Sequence, residues 1–164
     1  MSMLELIIAS TMMVTLLAAI SVVMRTGRQA WEAHEADFSR IEAGHSMIRH
    51  VVRRLRRSQG VASISNTTDN SGRISLLMLD GTTWIWDHDA NTNQVNYGSS
   101  ADPSLSLLAT DITGLSFRGF EADGTTLTTN LADIQLIEVT VSIQLPRETG
   151  GGRTISSFAW LRAW

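Results

Sequence analysis

The side chain with the clearest chemical demand is Glu5, because residues 6–24 after it (LIIASTMMVTLLAAISVVM) carry no charge. A carboxylate at the edge of hydrocarbon is costly and must be compensated there. Two placements answer that cost. One is a cationic partner at the same depth. The other is a position among lipid headgroups at a helix start, where the helix dipole favours negative charge.

Arg49, Arg53, Arg54, Arg56 and Arg57 form the second charged constellation. Three readings stand side by side: contact with nucleic-acid phosphates, favourable placement at a helix C-terminus, or pairing with the acidic block Glu32, Glu35, Asp37 and Glu42 of a staggered neighbour. A net charge of −3 gives no general pull toward nucleic acid, which is not an expected partner.

A third constellation is Asp87, Asp89, Asn91 and Asn93, with oxygen side chains at alternate positions as in calcium loops. Thr92 stands at the usual glycine position and Gly98 at that of the bidentate glutamate, so a polar hairpin connection is the stronger expectation. No cofactor or metal is expected beyond this calcium candidate. His34 and His45 are eleven residues apart, too far to share a metal, and are expected to be packed or interfacial. Trp84 and Trp86 alternate on one strand face as core or a subunit contact. No serine, histidine and acid have distinctive spacing, and no glycine-rich loop opens a helix. The chain is not expected to be an enzyme.

The elements that position these groups follow from periodicity. Leu6 to Met24 supplies 19 uncharged residues, close to the ~20 needed to cross a bilayer as a helix. Helical spacing continues beyond it. Trp31, Phe38, His45 and Val52 recur every seven residues, and His34, Ile41, Ile48 and Leu55 follow three residues on. No proline interrupts residues 1–59, and Gln59-Gly60 offers a glycine stop. The expectation is one helix of roughly 55 residues, about 80 Å long, with one face of its second half packed on a domain.

The remainder changes to period two. Ile74–Leu79 and Thr82–Trp86 flank an Asp80-Gly81 turn as a hairpin. Gln94–Tyr97 and Leu115–Phe120 read as strands, and Leu105–Ala109, after Asp102-Pro103, as a helical turn. Ile137 to Leu145 alternates most cleanly, and a last strand over Arg153–Trp164 follows Gly150-Gly151-Gly152. The fold class is α+β, a long N-terminal helix packed on a C-terminal antiparallel sheet. It divides into an apolar transmembrane or filament-core helix (1–24), an amphipathic continuation (25–59) and a β-rich head (60–164). The chain has no cysteine, and all 13 of its basic residues are arginine.

The opening Met1-Ser2-Met3-Leu4-Glu5-Leu6, followed by the apolar run, resembles the mature N-terminus of type IV pilins and type II secretion pseudopilins. The long helix, its arginine-rich close and the strand-rich remainder are similar to J-type minor pseudopilins and minor pilins. The resemblance implies removal of a basic leader by a prepilin peptidase, N-methylation of Met1, and numbering that begins at the mature terminus. Glu5 would then meet the α-amino group of a neighbour's Met1. Wrong axial offsets would leave both charges buried and unpaired. Leu6, Ile7, Ile8, Met12, Met13, Leu16, Leu17 and Ile20 would form the assembly surface. Val14 and Val22 stand where principal subunits often carry glycine and proline, which favours a minor subunit.

The implied partners are sibling subunits, the peptidase and inner-membrane assembly machinery. The implied location is the bacterial inner membrane, single-pass with the head outside the cytoplasm, then a periplasmic pseudopilus or extracellular filament. Arg25 and Arg28, taken alone, argue for the opposite orientation, and the removed leader supplies the inward signal. The alternatives are a pilin of an extracellular filament, acting in assembly or adhesion, and a membrane-tethered receptor domain.

Overall fold

The computed structural model describes residues 2–145 and 152–161. One helix, α1 (Met3–Leu55), is followed by eight strands. These are β1 (Ser58–Ile64), β2 (Arg73–Met78), β3 (Thr83–Asp89), β4 (Gln94–Ser99), β5 (Asp102–Ala109), β6 (Ile112–Phe120), β7 (Leu136–Gln144) and β8 (Gly152–Trp160). They form two antiparallel sheets, ordered β1-β2-β3-β4-β5 and β6-β7-β8. The architecture is therefore α+β, with the long helix first and the sheets after it.

The helix starts where local chemistry allows. Ser2 is the N-cap in extended conformation, and its hydroxyl accepts from the Glu5 N–H at 3.3 Å. The Glu5 carboxylate accepts the Ser2 N–H at 2.9 Å, completing a reciprocal capping box. No proline follows in α1, so the ladder runs unbroken for 53 residues, about 80 Å.

The expected stop at Gln59-Gly60 is corrected: α1 ends at Leu55, and Ser58, Gln59 and Gly60 already belong to β1. The C-cap Arg56 stays right-handed, and its N–H donates to Val52 O at 3.1 Å. The buried Ser58 hydroxyl donates to Leu55 O at 2.8 Å. A side-chain hydroxyl thus satisfies a terminal carbonyl, and the chain enters the sheet with no left-handed glycine.

A second correction concerns Leu105–Ala109, which is strand and not a helical turn. It lies in β5, at the edge of the larger sheet. An edge tolerates Pro103, whose missing N–H costs no central ladder bond. The β4–β5 register is irregular at that end, between Tyr97 and Ser99.

The β2–β3 hairpin forms as the residues imply. Gly81 sits at φ +80°, which favours glycine, and Met78 N–H donates to Thr82 O at 2.9 Å. Asp80 Oδ1 accepts the Thr82 hydroxyl and N–H, which holds its carboxyl below the usual range. The alternating β7 strand is central in the small sheet, with Val139, Val141 and Ile143 fully buried. Gly150 and Gly151 lie outside the described residues, as do Arg162 to Trp164.

The core joins both sheets to the end of α1. Met47, Ile48, Val51 and Leu55 meet Ile74, Leu76, Trp86, Phe117 and Ile137. The sheets are stitched at one corner. Gly72 N–H donates to Leu115 O at 2.7 Å, and Leu115 N–H to Asn70 O at 2.8 Å. The first fully buried helix residue is Gly44, where an added Cβ would overlap Ile143 Cδ1. Arg40 secures the same end through Gln144 O at 2.9 Å and Asp111 at 3.3 Å.

Candidate functional site

The first half of α1 is apolar on every side, and the head covers none of it. Leu6, Ile7, Ile8, Met12, Met13, Leu16, Leu17 and Ile20 are all exposed, from 48% at Ile8 to 64% at Met13. The helix is long and apolar enough to cross a membrane. Its hydroxyls are suited to a dry environment. Ser10 donates to Ile7 O at 2.9 Å, Thr11 to Ile8 O at 2.9 Å and Thr15 to Met12 O at 2.8 Å. Each of these three hydroxyl protons is satisfied within the rod, so immersion in hydrocarbon strands none of them. Met1, the expected methylation and processing site, lies outside the described residues.

Glu5 stands at the exposed start of this segment as the one acid of the first turn. Within one chain its carboxylate caps its own helix, the dipole-compensating role that elementary electrostatics allows. That bond engages Oε2 only, and the residue remains solvent-facing.

The amphipathic half divides differently from the expected stripe. Ile48 and Leu55 are buried, and Ile41 packs partly against the core. Trp31 and Phe38, however, are 74% and 68% exposed, and His34 and His45 are exposed too. The buried face is instead Gly44, Met47, Ile48, Val51 and Leu55, rotated from the Trp31–Phe38 line. Seven-residue spacing registered apolarity correctly, but the head meets the helix only from Arg40 onward and on another face, leaving the two aromatics exposed.

Arg53 and Arg54 occupy the last helical turn, where basic charge opposes the dipole. Arg54 also lies over the Trp84 ring at 3.8 Å. Trp84 stacks on Tyr97 at 6.0 Å and on Trp86 at 6.3 Å. Trp86 Nε1–H donates to His50 Nδ1 at 3.3 Å, which requires a neutral imidazole. Burial, then the Arg54 and Arg53 charges, hold the His50 pKa below its ordinary value. Trp84 and Trp86 are thus the link between the large sheet and the helix end. His50, the third partner, has no distinctive sequence signal.

Arg49, Arg53, Arg56 and Arg57 line an open groove of about 880 Å³ between α1 and β8. Among the described residues, no carboxylate lies within ion-pairing distance of them. Strand β8 is the edge of the small sheet, and Phe158 and Trp160 are half exposed on it.

The calcium candidate forms the β3–β4 connection. Asp87 pairs with Asn96 across the ladder. Asp89 Oδ1 accepts the Asn91 N–H and Oδ2 the Thr92 hydroxyl, both at 2.9 Å. These bonds lower the Asp89 pKa and commit both oxygens to the turn. Asn93 takes φ +52°, and its carbonyl accepts from Ile112. Among the described residues, no three acidic, histidine or cysteine side chains gather as a metal cluster. Compared with known proteins, the chain matches no protein-family model and no curated protein.

Proposed function

We propose that this chain is a structural subunit of a type IV pilus-like filament, nearest to a minor pseudopilin of a type II secretion-like machine. One observation carries the reading: an unbroken 53-residue helix is docked to its head only from Arg40 onward, with its apolar first half bare and a single carboxylate at the start. A bilayer covers such a rod before assembly, and sibling rods cover it afterwards. In the bundle, Glu5 exchanges its own-chain bond for the α-amino group of a neighbour's Met1. A rod inserted at the wrong depth leaves both charges unpaired in low dielectric, which sets axial register. The head is then carried on the filament exterior or at its tip, where it initiates assembly or engages secreted protein. The expected location is the inner membrane, with the head outside the cytoplasm and the leader removed by a prepilin peptidase.

The capping box gives the rival, a plain membrane anchor, its own account of Glu5, so the test must separate cap from charge. Glu5→Gln retains an oxygen able to accept the Ser2 N–H but loses the charge. In cells assembling the filament, incorporation of Glu5→Gln should fall at least ~tenfold, as for Glu5→Ala, while membrane insertion and head folding stay unchanged. Wild-type incorporation of Glu5→Gln would refute the register role. The mass of the N-terminal peptide independently shows whether Met1 is processed and methylated.

A further inference from the structure

We infer that the free edge of β8, walled by the arginines of α1, is a docking groove for an extended segment of another protein in which acidic and apolar residues alternate. This goes beyond the filament-subunit reading and stands on the head and the helix end alone.

Two antiparallel sheets leave four edges, and three of them are blunted. Strand β1 slips register twice, between Ser58 and Gly60 and between Val61 and Ser63. Strand β5 carries Pro103 and an irregular register. Strand β6 is bridged by Ser71 at Leu115 and by Leu127 at Phe120, and it slips between Ile112 and Gly114. Strand β8 has none of these devices. It pairs with β7 along its whole length without a shift, contains no proline, and among the described residues nothing pairs with its outer side.

The open edge has a defined pattern. Leu161 N–H donates to Gln135 O, which continues the β7–β8 register by one step. Alternation along an antiparallel ladder therefore turns the N–H and C=O of Thr154, Ser156, Phe158 and Trp160 outward. The half-exposed Phe158 and Trp160 lie on the opposite face of β8 from the buried Ala159. On the α1 side, the exposed Arg49, Arg53, Arg56 and Arg57 form one wall of the groove, and Ser157 to Trp160 the other. Arg49 to Arg57 rises about 12 Å along the helix, the reach of about four strand residues, which matches that stretch of β8.

A strand added beside β8 bonds to the outward main-chain groups and presents two different faces. Side chains on its α1 face meet the guanidinium groups, and those on its other face lie beside Phe158 and Trp160. Acidic residues fit the first face and apolar residues the second. Among the described residues no carboxylate pairs with these four arginines, so the partner supplies the counter-charge. Lipid headgroups are out of reach: Arg49 is 25 residues beyond Met24, about 37 Å along the rod, against a Debye length of ~8 Å. A nucleic acid would meet the arginines but leave the outward N–H and C=O row of β8 unused.

The test titrates the detergent-solubilised full chain into a fluorescein-labelled peptide of about ten residues, alternating glutamate and valine, with anisotropy as the readout. Saturable binding is expected. Lysine in place of glutamate should weaken it at least ~tenfold, and the same composition arranged as one acidic and one apolar block at least ~fivefold. N-methylation of all valine amides and of all glutamate amides should have opposite effects, one abolishing binding and the other sparing it, because only one set of N–H groups faces β8. Arg49→Glu with Arg56→Glu, both at exposed positions, should weaken binding at least ~tenfold at an unchanged melting temperature.

Absence of saturable binding overturns the proposal, as does equal binding of the lysine or block peptide, an equal effect of the two methylations, or undiminished binding by the arginine variant. Displacement by single-stranded oligothymidine at or below the concentration of unlabelled peptide needed assigns the arginines to phosphate and also overturns it. Each of these outcomes leaves the filament reading standing, since that is judged by incorporation of Glu5→Gln.

Discussion

Gly72→Ala tests whether the corner joining the two sheets is as tightly constrained as it looks. Gly72 is buried, and its φ is not in the left-handed region, so alanine there loses nothing in backbone preference. On entropy alone the substitution would stabilise by about 0.4–1 kcal/mol. The space decides otherwise. A Cβ on Gly72 would lie 2.6 Å from Leu115 O and 3.2 Å from both Phe117 Cδ2 and Ser116 Cα. The nearest atom is backbone and cannot rotate away.

Relieving the contact pulls at the 2.7 Å bond from Gly72 N–H to that same oxygen, and at the 2.8 Å bond from Leu115 to Asn70. Weakening them costs about 1 kcal/mol each, and overpacking beside the fully buried Phe117 costs about 1–3 kcal/mol. Against the entropic gain the net is a loss of about 3 kcal/mol, or roughly 6–12 °C in Tm for a chain of this size. Gly60→Ala is the matched control, since nothing lies within 4 Å of its added Cβ. Its Tm should hold or rise slightly. The measurement is thermal unfolding of the detergent-solubilised full chain, followed by far-UV circular dichroism at the strand band. A Gly72→Ala melting temperature at or above the parent's would refute the close-approach argument.

Two further outcomes follow from the helix–head junction. Leu55→Ala removes a fully buried side chain from the last turn of α1 and should destabilise by about 3 kcal/mol in denaturant titration, with Trp fluorescence reporting the loss. His50 has a folded pKa below its unfolded value, so the unfolded state binds its proton first. Its stabilising contribution is complete above about pH 6.5 and is lost as pH falls from there through the folded pKa. His50→Gln should flatten Tm against pH below about 6.5. An unchanged slope would show that the Trp86 bond does not depend on the neutral ring.

Residue pattern revealed some of this architecture well and some of it poorly, for identifiable physical reasons. The helix was legible because 53 residues without proline keep a single period, and β7 because a central strand with one wet face must alternate. The helix end was not legible, because Ser58 caps it through a hydroxyl and no glycine marks the stop. Strand β1 hid because its register slips between Ser58 and Gly60 and again between Val61 and Ser63, which breaks the alternation. In β5 the Ser104-Leu105-Ser106-Leu107 alternation was a true strand signal, masked by the preceding Asp-Pro turn pattern. Glu5 stood out because a lone charge beside hydrocarbon is expensive wherever it sits. The groove beside β8 could not be foreseen, since it joins residues about a hundred positions apart. Trp31 and Phe38 look like core residues until the structure shows that the head meets the helix only from Arg40 onward, on another face.

The short docking of a long rod also has a mechanical meaning. Gly44 to Leu55 spans about 17 Å, so a force applied to the apolar end and directed along the helix axis loads all the interlocked side chains of that stretch together. They resist in shear, as a group, instead of peeling open one turn at a time. Traction on the rod would therefore reach the two sheets as a pull on their common core, and the head would travel with the rod as one piece before it came loose.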